Sequence, residues 1–204
     1  RLEHARELLG KHYKHSAVRS GEKIEKINQR IYTWTKERLP KRFRKDHKKI
    51  AQAIIDTAQK YEFDPVFLLS VIQGESSFNP EMHGKAGEIG LMQILPSTGE
   101  WVSGLNGFRW KGPATLKDPV QNIRIGAAFL HRLRSRFDNH AQLYLAAYNM
   151  GVRNVNNALN KDIWPKDYPS HVMKIYVEFY SEISKSTRSI ASESPLPKPL
   201  RQGT

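Results

Sequence analysis

The stretch Ser70 to Pro96, SVIQGESSFNPEMHGKAGEIGLMQILP, begins as an apolar helix and finishes as a glycine-punctuated loop. Just upstream, Phe63-Asp64-Pro65 has the form of an N-cap with proline at the first helical position. Val66 to Phe78 is apolar nearly all round, which predicts a central, buried helix. Glu75 lies close to the end of that helix. A glutamate there is ordinarily a helix-end charge or half of a salt bridge. With Val71, Ile72 and Phe78 within one turn, the same position also suits a desolvated carboxyl whose pKa is lifted toward neutrality, as a general acid requires. Downstream, Gly84, Gly87 and Gly90 break the helical pattern and lead into the compact turn Gly90-Leu91-Met92-Gln93-Ile94. The glycine spacing follows no strand and lacks a phosphate-loop lysine, so a nucleotide site is not expected.

Outward from this stretch the pattern stays helical. Ile50, Ala53, Ile54, Thr57, Ala58 and Tyr61 form an apolar stripe at helical spacing, and Ile24, Ile27, Ile31, Trp34 and Arg38 form another that ends at Pro40. Pro96 opens a helix carrying Trp101. Asp118-Pro119 repeats the N-cap signal for a helix through Ile123, Ile125, Phe129, Leu130 and Leu133 to about Phe137. Ala141 to Asn149 makes a further helix, with Gly151 as its C-cap, followed by a short one to Leu159. The last regular helix is expected over His171 to Ile183. Strand-like alternation is weak everywhere, leaving room for a small hairpin in the 80s. The expected class is mainly α, with residues 1–49 a basic helical N-terminal extension, 50–183 the main domain and 184–204 a flexible Pro/Ser-rich tail.

The 204 residues, 39% of them hydrophobic, suffice for one good core. No stretch is long and apolar enough to span a membrane, and with no cysteine there is no disulfide. Residues 1–50 hold 16 basic and 6 acidic side chains, so +10 of the chain's formal +13 sits in its first quarter. This asymmetry reads either as a solvated helical face or as a surface for an anionic partner, an envelope polymer or a membrane surface. No groove-reading motif accompanies the charges, and nucleic acid is not expected. His4, His12 and His15 have no paired spacing with carboxylates, so no metal site is expected.

Three separated motifs carry a resemblance. Glu75-Ser76-Ser77-Phe78-Asn79-Pro80, Gly90-Leu91-Met92-Gln93 and Ala147-Tyr148-Asn149-Met150-Gly151 resemble, in order and separation, those of the soluble-type lytic transglycosylases. The likeness covers roughly Ile50 to Tyr180. It implies a lysozyme-like fold and cleavage of peptidoglycan glycan strands at the β-1,4 bond between N-acetylmuramic acid and N-acetylglucosamine. It also implies Glu75 as the single acid/base, with Ser76, Met92, Gln93, Tyr148 and Asn149 binding the sugars. It implies no cofactor. The substrate places the protein in the periplasm or outside the cell, and a monomer is expected. On the residues alone, Tyr148-Asn149 reads equally as a core aromatic with a polar helix cap.

Two positions depart from the family pattern. Gly84 stands where a serine usually hydrogen-bonds the catalytic carboxyl, and Glu88 stands where a small apolar residue is usual. Glu88 reads as a solvent-facing loop charge or as a second cleft carboxylate. In the second case it would hold a water for hydrolysis, as in a lysozyme, or favour de-N-acetylated glycan by charge pairing. A rival of another class is a non-catalytic glycan-binding scaffold. Trp101, Trp110 and Trp164 read as either sugar-stacking or core residues.

Overall fold

The computed structural model describes residues 1–16, 18 and 23–193, with side chains through Lys185. Nine α-helices are formed by the described residues: α1 (Leu2–Leu9), α2 (Ile24–Arg38), α3 (His47–Lys60), α4 (Pro65–Ser76), α5 (Pro96–Asn106), α6 (Pro119–Arg136), α7 (Ala141–Met150), α8 (Val152–Leu159) and α9 (Asp167–Glu193). Among these residues there is no strand. The small hairpin expected in the 80s consists of isolated antiparallel bridges, His83 with Ile89 and Ile89 with Ile94. No helix is long and apolar enough to cross a membrane.

Helix α4 is the axis of the domain. Every residue from Pro65 to Ile72 is buried, and α9, α3 and α2 pack around it. Its start follows the sequence: the Asp64 carboxylate accepts the Val66 N–H at 2.9 Å, and Pro65 occupies the first turn. Asp118 caps α6 in the same way through the Gln121 N–H. Residues Ala5 and Leu8 of α1 and Ile27, Ile31 and Trp34 of α2 belong to the same buried cluster as the rest of the chain. Helix α9 runs ten residues past Ile183, the end that the sequence pattern predicts. Residues 194–204, the remainder of the expected tail, lie outside those described.

A buried polar network at the start of α4 fixes the N-terminal helix. Asp64, fully buried, receives hydrogen bonds on its second carboxylate oxygen from Tyr176 (2.9 Å) and Tyr180 (2.7 Å), and Arg1 donates to the Tyr180 hydroxyl at 3.0 Å. Burial pushes the Asp64 pKa up, against these hydrogen bonds. His4, also fully buried, accepts the Asp64 N–H on Nδ1 at 3.0 Å, and its Nε2 pairs with the Tyr144 hydroxyl at 3.1 Å. Acceptance on Nδ1 requires the neutral ring, and burial holds the His4 pKa well below the usual histidine range. Glu7 of the same helix takes a forked pair from Arg134.

Removing the carboxylate leaves three donors unpaired in the core. Asp64→Ala is expected to lower unfolding stability by about 3–5 kcal/mol and Tyr180→Phe by about 1 kcal/mol, read from urea unfolding curves. A loss below about 1 kcal/mol for Asp64→Ala would show that the network is not what anchors α1 and α9 to α4.

Candidate active site

Glu75 sits in the last turn of α4, where the chain leaves the helix under constraint. Ser77 and Phe78 are both left-handed (φ 48° and 63°), an arrangement that costs a non-glycine residue of order 1 kcal/mol or more. Phe78 is held there by complete burial, and the Asn79 N–H closes the turn on the Ser76 carbonyl at 2.9 Å. The loop then folds across the helix end. Gly90 N–H donates to the Met82 carbonyl, and Ile89 and Ile94 exchange backbone hydrogen bonds. Gly90 has φ +82°, and a Cβ there would lie 2.8 Å from the Leu116 carbonyl, so both conformation and space demand glycine.

The result is a cleft of about 210 Å³ lined by Glu75, Gly84, Lys85, Glu88, Gln93, Ile94, Leu95, Thr98, Phe129, Tyr148 and Asn149. Its floor carries the carboxyl of Glu75. Burial raises the Glu75 pKa to about 7; the hydroxyl of Tyr168, donating to Oε1, works against that rise, and the negative charge of Glu88 adds to it. Burial and the Glu75 charge push the Tyr168 pKa well up, so its proton stays available for that bond. Among the described residues no basic group lies within ion-pair distance of Glu75. A half-protonated carboxyl at neutral pH can give a proton and then take one back.

The expected site residues fall into two groups. Glu75, Glu88, Gln93, Tyr148 and Asn149 are brought together at the cleft. Gln93, itself left-handed at φ 47°, is anchored through Nε2 to the Gly90 and Met82 carbonyls. The Tyr148 hydroxyl donates to the Met92 carbonyl at 2.7 Å, so it braces the loop. Ser76 and Met92, expected to bind sugar, are buried instead. Ser76 is 2% exposed and its hydroxyl bonds to the Ile72 and Leu91 carbonyls, tying the helix end to the loop. Met92 is fully buried against Gly126, where a Cβ would lie 2.6 Å from its sulfur. Their roles are interior because the loop must be pinned to α4 and α6 before it can wall a cleft.

Glu88 and Gly84 form one unit. The Glu88 carboxylate accepts the Ala86 N–H at 3.0 Å, and a Cβ on residue 84 would collide with it. The volume that a side chain at 84 would fill is therefore taken by Glu88, and Glu75 receives its hydroxyl donor from Tyr168.

Sequence reading missed two residues here, Tyr168 and Asn122. Buried Asn122 gives its amide to the Ile89 (2.8 Å) and Leu116 (2.9 Å) carbonyls and takes the Met92 N–H (2.8 Å), clamping the loop to α6. Its signal was a polar residue in register with the apolar stripe of Gly126, Phe129 and Leu133. Tyr168 left no local signal, since it reaches Glu75 across 93 positions. Among the described residues no group of three or more His, Asp or Glu could hold a metal ion.

Known proteins share this sequence family and fold. The family model described as the transglycosylase SLT domain matches residues 52–170. The chain is 35% identical over 115 residues to the transglycosylase of Enterobacteria phage PRD1, covering 56% of this chain and 38% of that protein. It is 35% identical over 141 residues to membrane-bound lytic murein transglycosylase F of Desulfosudis oleivorans, covering 66% of this chain and 26% of that one. It therefore spans well under half the length of these relatives. Among solved structures, an inactive variant of the lytic transglycosylase Slt of Pseudomonas aeruginosa superposes with TM-score 0.60 and 26% identity, over 65% of this chain and 24% of the other. Matched by the family model over more than half its length, and folded as Slt is, the chain belongs to the transglycosylase SLT domain family.

Proposed function

We propose that this chain cleaves peptidoglycan glycan strands between N-acetylmuramic acid and N-acetylglucosamine by lytic transglycosylation, with Glu75 as acid and then base. The observation that carries the reading is the Glu75 carboxyl, raised to about 7 in a cleft floor with a tyrosine donor. Protonated Glu75 gives its proton to the leaving oxygen as the glycosidic bond breaks, and the muramic acid's own N-acetyl oxygen supports the anomeric carbon. The carboxylate left behind then takes the proton of the C6 hydroxyl. That oxygen closes on the anomeric carbon, releasing a 1,6-anhydro end without consuming water. The names of relatives, lytic murein transglycosylases, support the same substrate, and acting on that substrate places the chain in the periplasm or outside the cell.

Glu88 supports a second reading. Its carboxylate lines the same cleft, in the space left open by Gly84. A second carboxylate can hold an attacking water, which would yield reducing ends by hydrolysis, and can attract the amine of a de-N-acetylated sugar. The exposed Lys41, Lys45, Lys48 and Lys49 fit an anionic envelope polymer or membrane surface, while neighbouring Arg42 is paired with Glu81 near the cleft loop.

Glu75→Gln is expected to abolish product, a loss of more than about a thousandfold, on purified sacculi. Mass spectrometry of the muropeptides from the parent enzyme decides the chemistry. Anhydro ends support transglycosylation. Reducing ends, above all from chemically deacetylated sacculi, would replace it with the Glu88-assisted route.

The pH profile tests the tuning. Glu75 must begin protonated, so kcat/KM should fall as pH rises through about 7. Glu88→Gln removes a like charge and should move this limb to lower pH. Tyr168→Phe removes a hydrogen bond that favours the carboxylate and should move the limb to higher pH while lowering the maximal rate. Unmoved limbs in both variants would dissociate the activity from the titration of Glu75.

A further inference from the structure

The four tryptophans have distinct settings. Trp34 is buried in the core, and Trp110 packs against Gly99, where an added Cβ would lie 2.9 Å from its ring. Trp164 is 49% exposed beside His140 and does not line the cleft. Trp101 is 47% exposed, yet its ring is not loose. Its edge meets Phe129 at a centroid distance of 6.3 Å and 79°, and the Arg132 guanidinium lies 4.9 Å from its centroid. Phe129 in turn stands 5.4 Å from the Tyr148 ring, and both residues line the cleft. An aromatic chain thus runs from the wall beside Glu75 out to an open indole.

Helix α5 repeats the same direction. Leu95 and Thr98 line the cleft, and Trp101 and Leu105 continue that face at three- to four-residue spacing. Leu95, Trp101 and Leu105 are 37%, 47% and 53% exposed, large apolar side chains at successive positions of that face. The row begins inside the cleft and leads away from it.

We infer that Trp101 is a sugar-stacking platform that extends the cleft, seating a sugar of the glycan strand beyond those at the bond being cut. This rests on reading the cleft as a glycan site. The C–H face of a pyranose ring offers the apolar surface that an indole face covers, and its rim hydroxyls stay in water. The indole is held by Phe129 and Arg132 before any sugar arrives, so little side-chain freedom is lost on binding. Continuity with the cleft favours a glycan over a second copy of the chain or a lipid surface.

The test uses the full chain carrying Glu75→Gln, which binds without turnover, and N-acetylglucosamine oligomers from di- to hexasaccharide in titration calorimetry. Affinity is expected to climb with length. Adding Trp101→Ala should remove about three- to tenfold of the gain for the hexasaccharide, while adding Trp164→Ala should remove none. Retention of the full length dependence in the Trp101→Ala protein would overturn the platform and leave the cleft reading intact. Absence of binding at every length by the Glu75→Gln protein would overturn both. If Trp101→Ala instead abolishes self-association in sedimentation or binding to anionic vesicles, with glycan affinity unchanged, the row belongs to that other partner.

Discussion

The constraint on which this structure depends is a carboxyl buried at a helix end with no cation, among the described residues, within ion-pair distance. Pairing Glu75 with a lysine or arginine would hold it ionised and useless as an acid, and leaving it in water would do the same. The fold takes a third course. It encloses the group, supplies one neutral donor from Tyr168, and sets a second negative charge, Glu88, within electrostatic reach. The first and last of these raise the pKa and the donor lowers it, so the balance near 7 depends on all of them.

Burying a carboxyl requires rigid surroundings, and α9 provides them for both ends of α4. Asp64 precedes the helix and Glu75 lies near its finish, 11 residues later, roughly 16 Å along the axis. Tyr168, Tyr176 and Tyr180 fall along α9 in the opposite order, Tyr168 meeting Glu75 and the other two meeting Asp64. An antiparallel helix pair thus clamps two carboxylates with tyrosine hydroxyls from one partner. The two clamps set each other's register: a shift of α9 by one residue, about 1.5 Å with a 100° turn, would unpair Asp64 and Glu75 together. His4 closes the Asp64 end through the backbone N–H, which makes helix α1 part of the frame that aims Glu75 although α1 lies outside the family match.

This architecture explains what could be read in advance. Helix α4, the Asp64 and Asp118 caps and the place of Glu75 follow from local rules of spacing and capping, because each is decided within a few residues. Tyr168 could not be read that way, since its role exists only once α9 lies against α4. Ser76 and Met92 show the opposite failure. They lie in the motifs that border the cleft, yet Ser76 bonds inward to the Leu91 carbonyl and Met92 packs under Gly126. A motif holds residues for everything its geometry needs, and much of this one's geometry is scaffolding. The sequence pattern ends α9 too early because few apolar residues follow Ile183, whereas a helix already nucleated and packed can continue through polar residues at little cost per residue.

Gly84 and Glu88, two separate positions in the sequence, share one volume in the cleft wall. A Cβ at 84 would lie on the Glu88 carboxylate and against the Gln93 amide oxygen, so any side chain there would have to displace the tip of Glu88. With no side chain at 84, Glu88 sets a charge that opposes ionisation of Glu75, while the hydrogen bond that favours ionisation comes from Tyr168. Both act on the same proton. Glu88 moves the pKa of Glu75 upward and Tyr168 moves it downward, while the backbone of the loop, held by Asn122, Gln93 and Tyr148, keeps its path.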